Sequence, residues 1–462
     1  MAMGKKPQEH QDTLWVATHE LPQAPGHPFY AKLNEVLEQH GFTVFVEGEC
    51  QQYYAEVMGR PSIPPGVYFR MLFIGFFEGI DSERGIAWRV ADSMGLRRFL
   101  DYDLTQNTPD HSSLSRTRHR LSIETHSAVF SWVLGVLAKE QVLKGKTLGI
   151  DATTLEANAA LRSIVRRDTG ESYQEFLTRL AKASGIETPT REDLSKIDKN
   201  RPGKGSNKDW GHPHDPDARI TKMKDGQTHL AHKAEHAVDM DTGAIVAVTL
   251  QEADRGDTYT VLETLRETVT NLVAVNEDTD AARAMGDDTL RQAVMDKGYH
   301  SNESLMLLDA VQIRAYVSEP KRGKRQWKDK SDEQRVVYGN RRRIRGAHGK
   351  ALMRRRGEFV ERSFAHMYET GGMRRTHLKG HENILKRLLI HAGGFNLALV
   401  LRKFTGIGKP RRLQDGFAAA STAADRWSRL LITATNVIHA LVRPWRQPKT
   451  PESHLDGIYQ IA

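Results

Sequence analysis

Apolar and polar residues alternate along Lys146-Thr147-Leu148-Gly149-Ile150-Asp151-Ala152-Thr153-Thr154-Leu155, the two-residue period of a strand. If Leu148 and Ile150 face a core, then Gly149, Asp151 and Thr153 lie on the opposite, exposed face, and a carboxylate ends a rigid element. Upstream the period is helical. Pro64-Pro65 can open a helix, and Val67, Met71, Leu72, Ile74 and Phe76 give it a wide apolar face. Further helices are predicted at about 27–40, 82–93, 110–121 and 125–141, so residues 1–140 read as an all-helical unit.

Beyond residue 160 the alternation breaks down. A helix is predicted at 172–183, followed by a polar stretch rich in Gly, Pro, Asp and Lys to 225. We expect an inserted surface excursion without a core of its own, over about 160–226. Residues 228–238 and 244–249 then read as paired strands joined by the turn Asp239-Met240-Asp241-Thr242-Gly243. A helix from 257 to about 273 follows. The run Gln292-Ala293-Val294-Met295 ends on a second aspartate, Asp296, and leads to a helix at 301–309 and a strand at 313–317. Val360, Phe364, Met367 and Tyr368 recur at helical spacing. This order predicts an α/β fold, a mixed sheet flanked by helices. The sheet unit is expected over 141–405, with a second insertion at about 320–353. Residues 406–462 read as a linker and a last helix near 427–442, with Leu430, Leu431, Val437 and Leu441 at its apolar positions.

Composition narrows the class. Of 462 residues, 39% are hydrophobic and 27% charged, which suits a soluble globular chain with a real core. The apolar run at 67–77 is too short to cross a bilayer and contains Arg70. The N-terminal residues lack the apolar run of an export signal, so a cytoplasmic protein without a membrane partner is expected. The single cysteine, Cys50, rules out an internal disulfide framework and any cysteine-built zinc site. A net charge of +9 with a pI near 9.4 favours a polyanionic partner. The charge is clustered, since Lys321 to Arg356 holds 15 Lys/Arg and three acidic residues. Such crowded like charge is unfavourable unless an anion intervenes, and several cations along a backbone gain from counterion release. Candidate nucleic-acid contacts are therefore Arg341, Arg342, Arg343, Arg345, Arg354, Arg355 and Arg356. Arg116 and Arg118 on the helix at 110–121, and Arg362, join them. Trp327 within the basic run is expected to be buried.

Asp151 and Asp296 end two predicted strands, and Glu361 borders the core-facing stripe of a later helix. Three carboxylates would repel one another if buried alone, so their convergence makes most sense around hard cations such as Mg²⁺. In addition, Pro109-Asp110-His111-Ser112-Ser113-Leu114-Ser115-Arg116, Gly149-Ile150-Asp151-Ala152-Thr153, the hairpin from Ala237 to Val246, Asp296-Lys297-Gly298-Tyr299 and Val360-Glu361-Arg362 follow in order. Over about residues 60–400 the sequence resembles the DDE transposases of bacterial insertion sequences, which have an RNase H-like catalytic domain. The resemblance implies Asp151, Asp296 and Glu361 as catalytic, metal-binding residues holding two Mg²⁺ or Mn²⁺ ions. It also implies an N-terminal helical unit that helps recognise transposon ends. Double-stranded DNA, as terminal inverted repeats and target, is the implied partner, with a homodimer in the DNA complex. One departure is visible: where many relatives place a tyrosine, an arginine and a lysine around the glutamate, this chain has Arg354, Gly357 and Tyr368, which leaves Glu358 as an alternative third ligand.

Other readings stay open at this point. A nuclease of the same fold would cut without joining, and an inactive relative would bind DNA without metal dependence. His229, His232 and His236 invite a zinc site, but a strand puts His229 on the face opposite the other two. Asp257 reads as a helix N-cap.

Overall fold

The computed structural model describes residues 28–55, 62–201, 205–223, 226–286, 289–321, 323 and 325–410. The final helix expected near 427–442 lies outside the described residues. Seven helices open the described chain: α1 (Pro28–Gln39), α2 (Phe42–Cys50), α3 (Pro65–Glu78), α4 (Glu83–Asp92), α5 (Met94–Phe99), α6 (His111–Arg120) and α7 (Ile123–Lys139). Side-chain caps set these boundaries. Ser82, Asp110 and Ser122 accept from the backbone N–H of Gly85, Ser113 and Thr125, satisfying donors that the first helical turn leaves unpaired.

The strand β1 (Thr147–Glu156) follows, then β2 (Val165–Arg166), α8 (Tyr173–Ala183), α9 (Arg191–Asn200), β3 (Trp210–Gly211), β4 (Arg219–Lys222), β5 (Thr228–Asp239) and β6 (Ile245–Glu252). Next come α10 (Asp257–Asn276), α11 (Thr279–Met285), β7 (Gln292–Met295), α12 (Asn302–Ala310), β8 (Arg314–Val317), α13 (Ser331–Arg345), α14 (Ala347–Phe364) and α15 (His381–Thr405). β1 runs antiparallel to β5, with Asp151 opposite His236, and parallel to β7, with Ile150 beside Met295. β7 is parallel to β8. On its far side β5 pairs with β4 along one half and with β6 along the other. The order β6-β5-β1-β7-β8 is the mixed sheet expected, flanked by helices, with an all-α region before it: an RNase H-like fold.

Both faces of the sheet are covered. Ile150, Ala237, Met295 and Val317 pack with Val261 and Leu265 of α10, Leu305 and Leu308 of α12, and Val336 and Val337 of α13. Across the other face lies α14, where Leu352 joins Val294 and Tyr316. The expectation of an exposed face for Gly149 and Asp151 is thereby corrected, because α14 roofs it. Gly149 is needed there: a Cβ would meet Met240 Sδ at 2.7 Å and Arg356 Cγ at 3.1 Å. A buried asparagine pairs with the backbone of one residue on each of the outer strands β8 and β6. Asn340 bonds both N–H and C=O of Val317 on β8, and Asn396 does the same for Ile245 on β6.

Asn396 belongs to α15, which the periodicity did not reveal. α15 is long and apolar enough to cross a membrane by length and composition, but 89% of its apolar window is buried inside the protein. It packs on α3, α7 and β6, so the helical region and the sheet share one compact unit up to Gly408. The expected boundary near 140 marks a change of secondary structure and not of packing. A second correction concerns the insertion at 160–226. It has its own core, with Ile164, Phe176, Leu177 and Ala218 gathered around Trp210, which is 1% exposed.

Candidate active site

Asp296 stands just past the end of β7, whereas Asp151 lies in the middle of β1, each one position past the paired residues Ile150 and Met295 where the parallel pairing stops. The expectation that Asp151 ends its strand is corrected, because β1 runs on along β5 to Glu156. The negative charge of Asp296 reaches Asp151. Burial is the main cause that raises the Asp151 carboxyl above its ordinary pKa; Arg356 and the Ala152 N–H oppose that rise, and Asp296 adds to it. Asp296 is held by the turn it caps, its Oδ1 accepting from Gly298 N–H at 2.7 Å. Asp151 has both oxygens engaged, Oδ1 by Ala152 N–H at 2.9 Å and Oδ2 by Arg356 Nη1 at 2.6 Å.

The orientation of α14 follows from its contacts. Arg356 and Val360 lie over Gly149. Phe359 packs at Gly243 in the β5–β6 turn and Arg355 pairs with Asp241 in the same turn, beside the start of β1, where Met240 N–H bonds Thr147 O. Residues 359 and 361 are turned about 100° in opposite senses from Val360. Glu361 therefore lies on the flank of α14 opposite Phe359, away from the β5–β6 turn. It is exposed there. Arg354, two turns earlier, shares that flank and is also exposed. Glu358 is exposed as well and is tied to Arg362 at 2.6 Å.

The donor set suits a hard divalent cation in kind, since Asp151 and Asp296 are carboxylates close enough for the charge of one to act on the other. It is not drawn together into a finished cluster. Among the described residues no three acidic, histidine or cysteine side chains are grouped to hold a metal ion, because a guanidinium covers Asp151 and Glu361 remains on the rim. That finding also answers the zinc reading. His232 is buried against Asp215, with Nε2 3.2 Å from Oδ2, and His236 lies between Ser363 and Tyr368.

The candidate cations divide by location. Arg118 is a correction: it is 7% exposed and is held by Glu83, by Asn383 at 3.1 Å and by Ser115 at 3.2 Å, so it joins α6 to α4 and α15. Arg341 and Arg343 are half-buried and have partners within the fold. Arg341 forms a fork with Glu319, both bonds 2.7 Å, and Arg343 donates to Ala315 O on the edge strand β8. The basic run is helical because α13 closes this edge, and Trp327 is packed on the core as expected. Arg356 is engaged by Asp151. Arg116, Arg342, Arg345 and Arg354 are exposed; Arg355 and Arg362 are exposed beside their partners Asp241 and Glu358.

Two groups near the site escaped the sequence. Lys233 points from β5 to Asp257 Oδ1 at 2.5 Å and Thr260 Oγ1 at 2.9 Å. Asp257 in turn crowds the Asp296 turn, since a Cβ on Gly298 would fall 2.1 Å from its Oδ2. The N-cap of α10 is Gly256, so Asp257 pairs with a buried lysine and supports this turn. Glu235, fully buried beside Lys233, accepts from Tyr299 Oη at 2.7 Å and Thr260 Oγ1 at 3.0 Å, and burial raises its pKa. The second group is Arg374, which reaches Thr153 Oγ1 and Thr154 O at the end of β1.

A mixed sheet of this topology, flanked by helices and preceded by a helical region, is consistent with an RNase H-like DDE domain. The family comparisons agree: the transposase DDE domain family matches residues 193–397, and a transposase domain family matches residues 18–120. The chain belongs to the DDE transposases, with a helical transposase domain ahead of the DDE domain. Asp296 and Glu361 fall inside the DDE match and Asp151 precedes it. No curated protein and no solved structure matches.

Proposed function

We propose that this transposase cleaves DNA at transposon ends and joins the freed 3′ ends to target DNA, with Asp151, Asp296 and Glu361 as its catalytic carboxylates. The observation that supports the reading is that Asp151 and Asp296, each one position past the last parallel pair of β1 and β7, lie close enough for the charge of Asp296 to act on Asp151. Asp151, Asp296 and Glu361 would hold two Mg²⁺ or Mn²⁺ ions, which when bound stabilise the attacking and leaving oxygens of phosphoryl transfer. Strands β1 and β7 fix the two aspartates on a rigid sheet, and Gly298 N–H orients the Asp296 carboxylate. Glu361, exposed on α14, would complete the set. Arg354 lies beside it to contact a phosphate, and Arg342, Arg345 and Arg116 offer further cations to the backbone of double-stranded DNA. Attack by water and then by the DNA 3′-hydroxyl needs no covalent protein intermediate. A homodimer would present two such sites to the two ends of the element.

The test uses the full chain with labelled duplexes taken from the DNA bordering the coding region. Asp151→Asn, Asp296→Asn and Glu361→Gln are each expected to lose Mg²⁺-dependent cleavage and joining while retaining gel-shift binding. Cleavage that survives in Asp151→Asn removes that residue from the site. Cleavage by the unmodified protein without joining would make it a nuclease.

A further inference from the structure

The inner face of α14 places a cation where the proposed chemistry requires a carboxylate to be free. Arg356 Nη1 is 2.6 Å from Asp151 Oδ2, and the two side chains are 14% and 27% exposed. The stem of the arginine crosses Gly149, where any larger residue would obstruct it. The other Asp151 oxygen already accepts from Ala152 N–H. The Arg356 Nε is buried without a hydrogen-bond partner, so the guanidinium is held at one end and has an unused donor at the other. A guanidinium satisfied only in part gains from moving to an anion that accepts two parallel bonds, and a phosphodiester does this well. A divalent ion at Asp151 and the guanidinium in its present place would repel each other at short range.

We propose that Arg356 is a positioning residue that reserves Asp151 until DNA arrives. In the DNA-free protein its guanidinium neutralises the carboxylate and competes with divalent ions. A DNA phosphate entering the edge between Arg354 and Asp151 takes the guanidinium over, and Asp151 is released for ion loading. DNA binding and ion binding are thereby coupled, and linkage requires each to strengthen the other by the same factor. The inference rests on the assignment of Asp151 as a metal ligand made above.

The test measures Mn²⁺ affinity of the full-length protein by electron paramagnetic resonance, with and without a bordering-sequence duplex. Asp151→Asn with the same duplex serves as the baseline for ions held by DNA alone. The unmodified protein is expected to bind Mn²⁺ at least about tenfold more tightly with duplex than without, within the usual range of coupling between sites. Arg356→Ala is expected to bind Mn²⁺ without duplex about as tightly as the unmodified protein does with it, so that the coupling disappears. The proposal is overturned if duplex leaves the Mn²⁺ affinity of the unmodified protein unchanged, a measurement that needs no variant to fold. It is equally overturned if Arg356→Ala leaves the DNA-free affinity unchanged. If Asp151→Asn matches the unmodified protein with duplex, the assignment of Asp151 as a ligand has failed instead.

Discussion

Acid should loosen this protein through His236, the residue paired with Asp151 across β1 and β5. Its Nδ1 lies 3.0 Å from Ser363 Oγ and its Nε2 2.5 Å from Tyr368 Oη, and its ring packs on Phe364 at 4.8 Å. It thus fastens the end of α14 to the sheet beside the site. Complete burial pushes its pKa down to about 3, against about 6.5 in an unfolded chain. The folded state therefore keeps the ring neutral between these values while the unfolded state takes up a proton. Stability from this histidine is present above pH 6.5 and is lost progressively as pH falls toward 3. Between pH 7 and pH 5 the loss is about 2 kcal/mol, from one and a half pH units below the unfolded value at about 1.4 kcal/mol each. His126, also depressed to about 3 by burial, adds a similar loss in the helical region. Urea unfolding at the two pH values should show that His236→Gln, whatever its stability at pH 7, loses about 2 kcal/mol less on acidification than the unmodified protein. Equal losses in the two proteins would refute the claim that His236 is buried neutral.

Two further outcomes separate structural from functional side chains. Arg118→Ala strands Glu83 and should cost about 3–5 kcal/mol in denaturant titrations, whereas Arg354→Ala should leave stability nearly unchanged. Arg354→Ala should weaken DNA binding and reduce the salt slope of affinity by about one; an unchanged slope would remove Arg354 from the phosphate contacts. Trp210→Ala empties the centre of the insertion and should cost about 3–5 kcal/mol there. Limited proteolysis is then expected to cut first between residues 160 and 223, and first cuts elsewhere would deny the insertion a core of its own.

Legible in the sequence were the end of β7 before Asp296 and the face of β1 that Asp151 shares with Gly149, because a two-residue period names which side chains share a face. That β1 runs on past Asp151 to Glu156 came only from its pairing with β5. By itself the sequence determined the order of strands and helices, and with it the mixed sheet, since β5, β6, α10, β7, α12 and β8 each have a clear period. It also put Glu361 at the border of a helical stripe. Periodicity cannot say what lies across a face, so the roof that α14 lays over Gly149 and Asp151 came only from packing. The same limit hid α15. A helix buried on every side has no polar face to betray its period. The fate of the arginines was likewise tertiary: Arg118 meets Asn383, 265 positions away, and Arg343 meets the edge of β8. Charge density identifies cations, but only the fold decides which of them are consumed by partners and which remain at the surface for DNA.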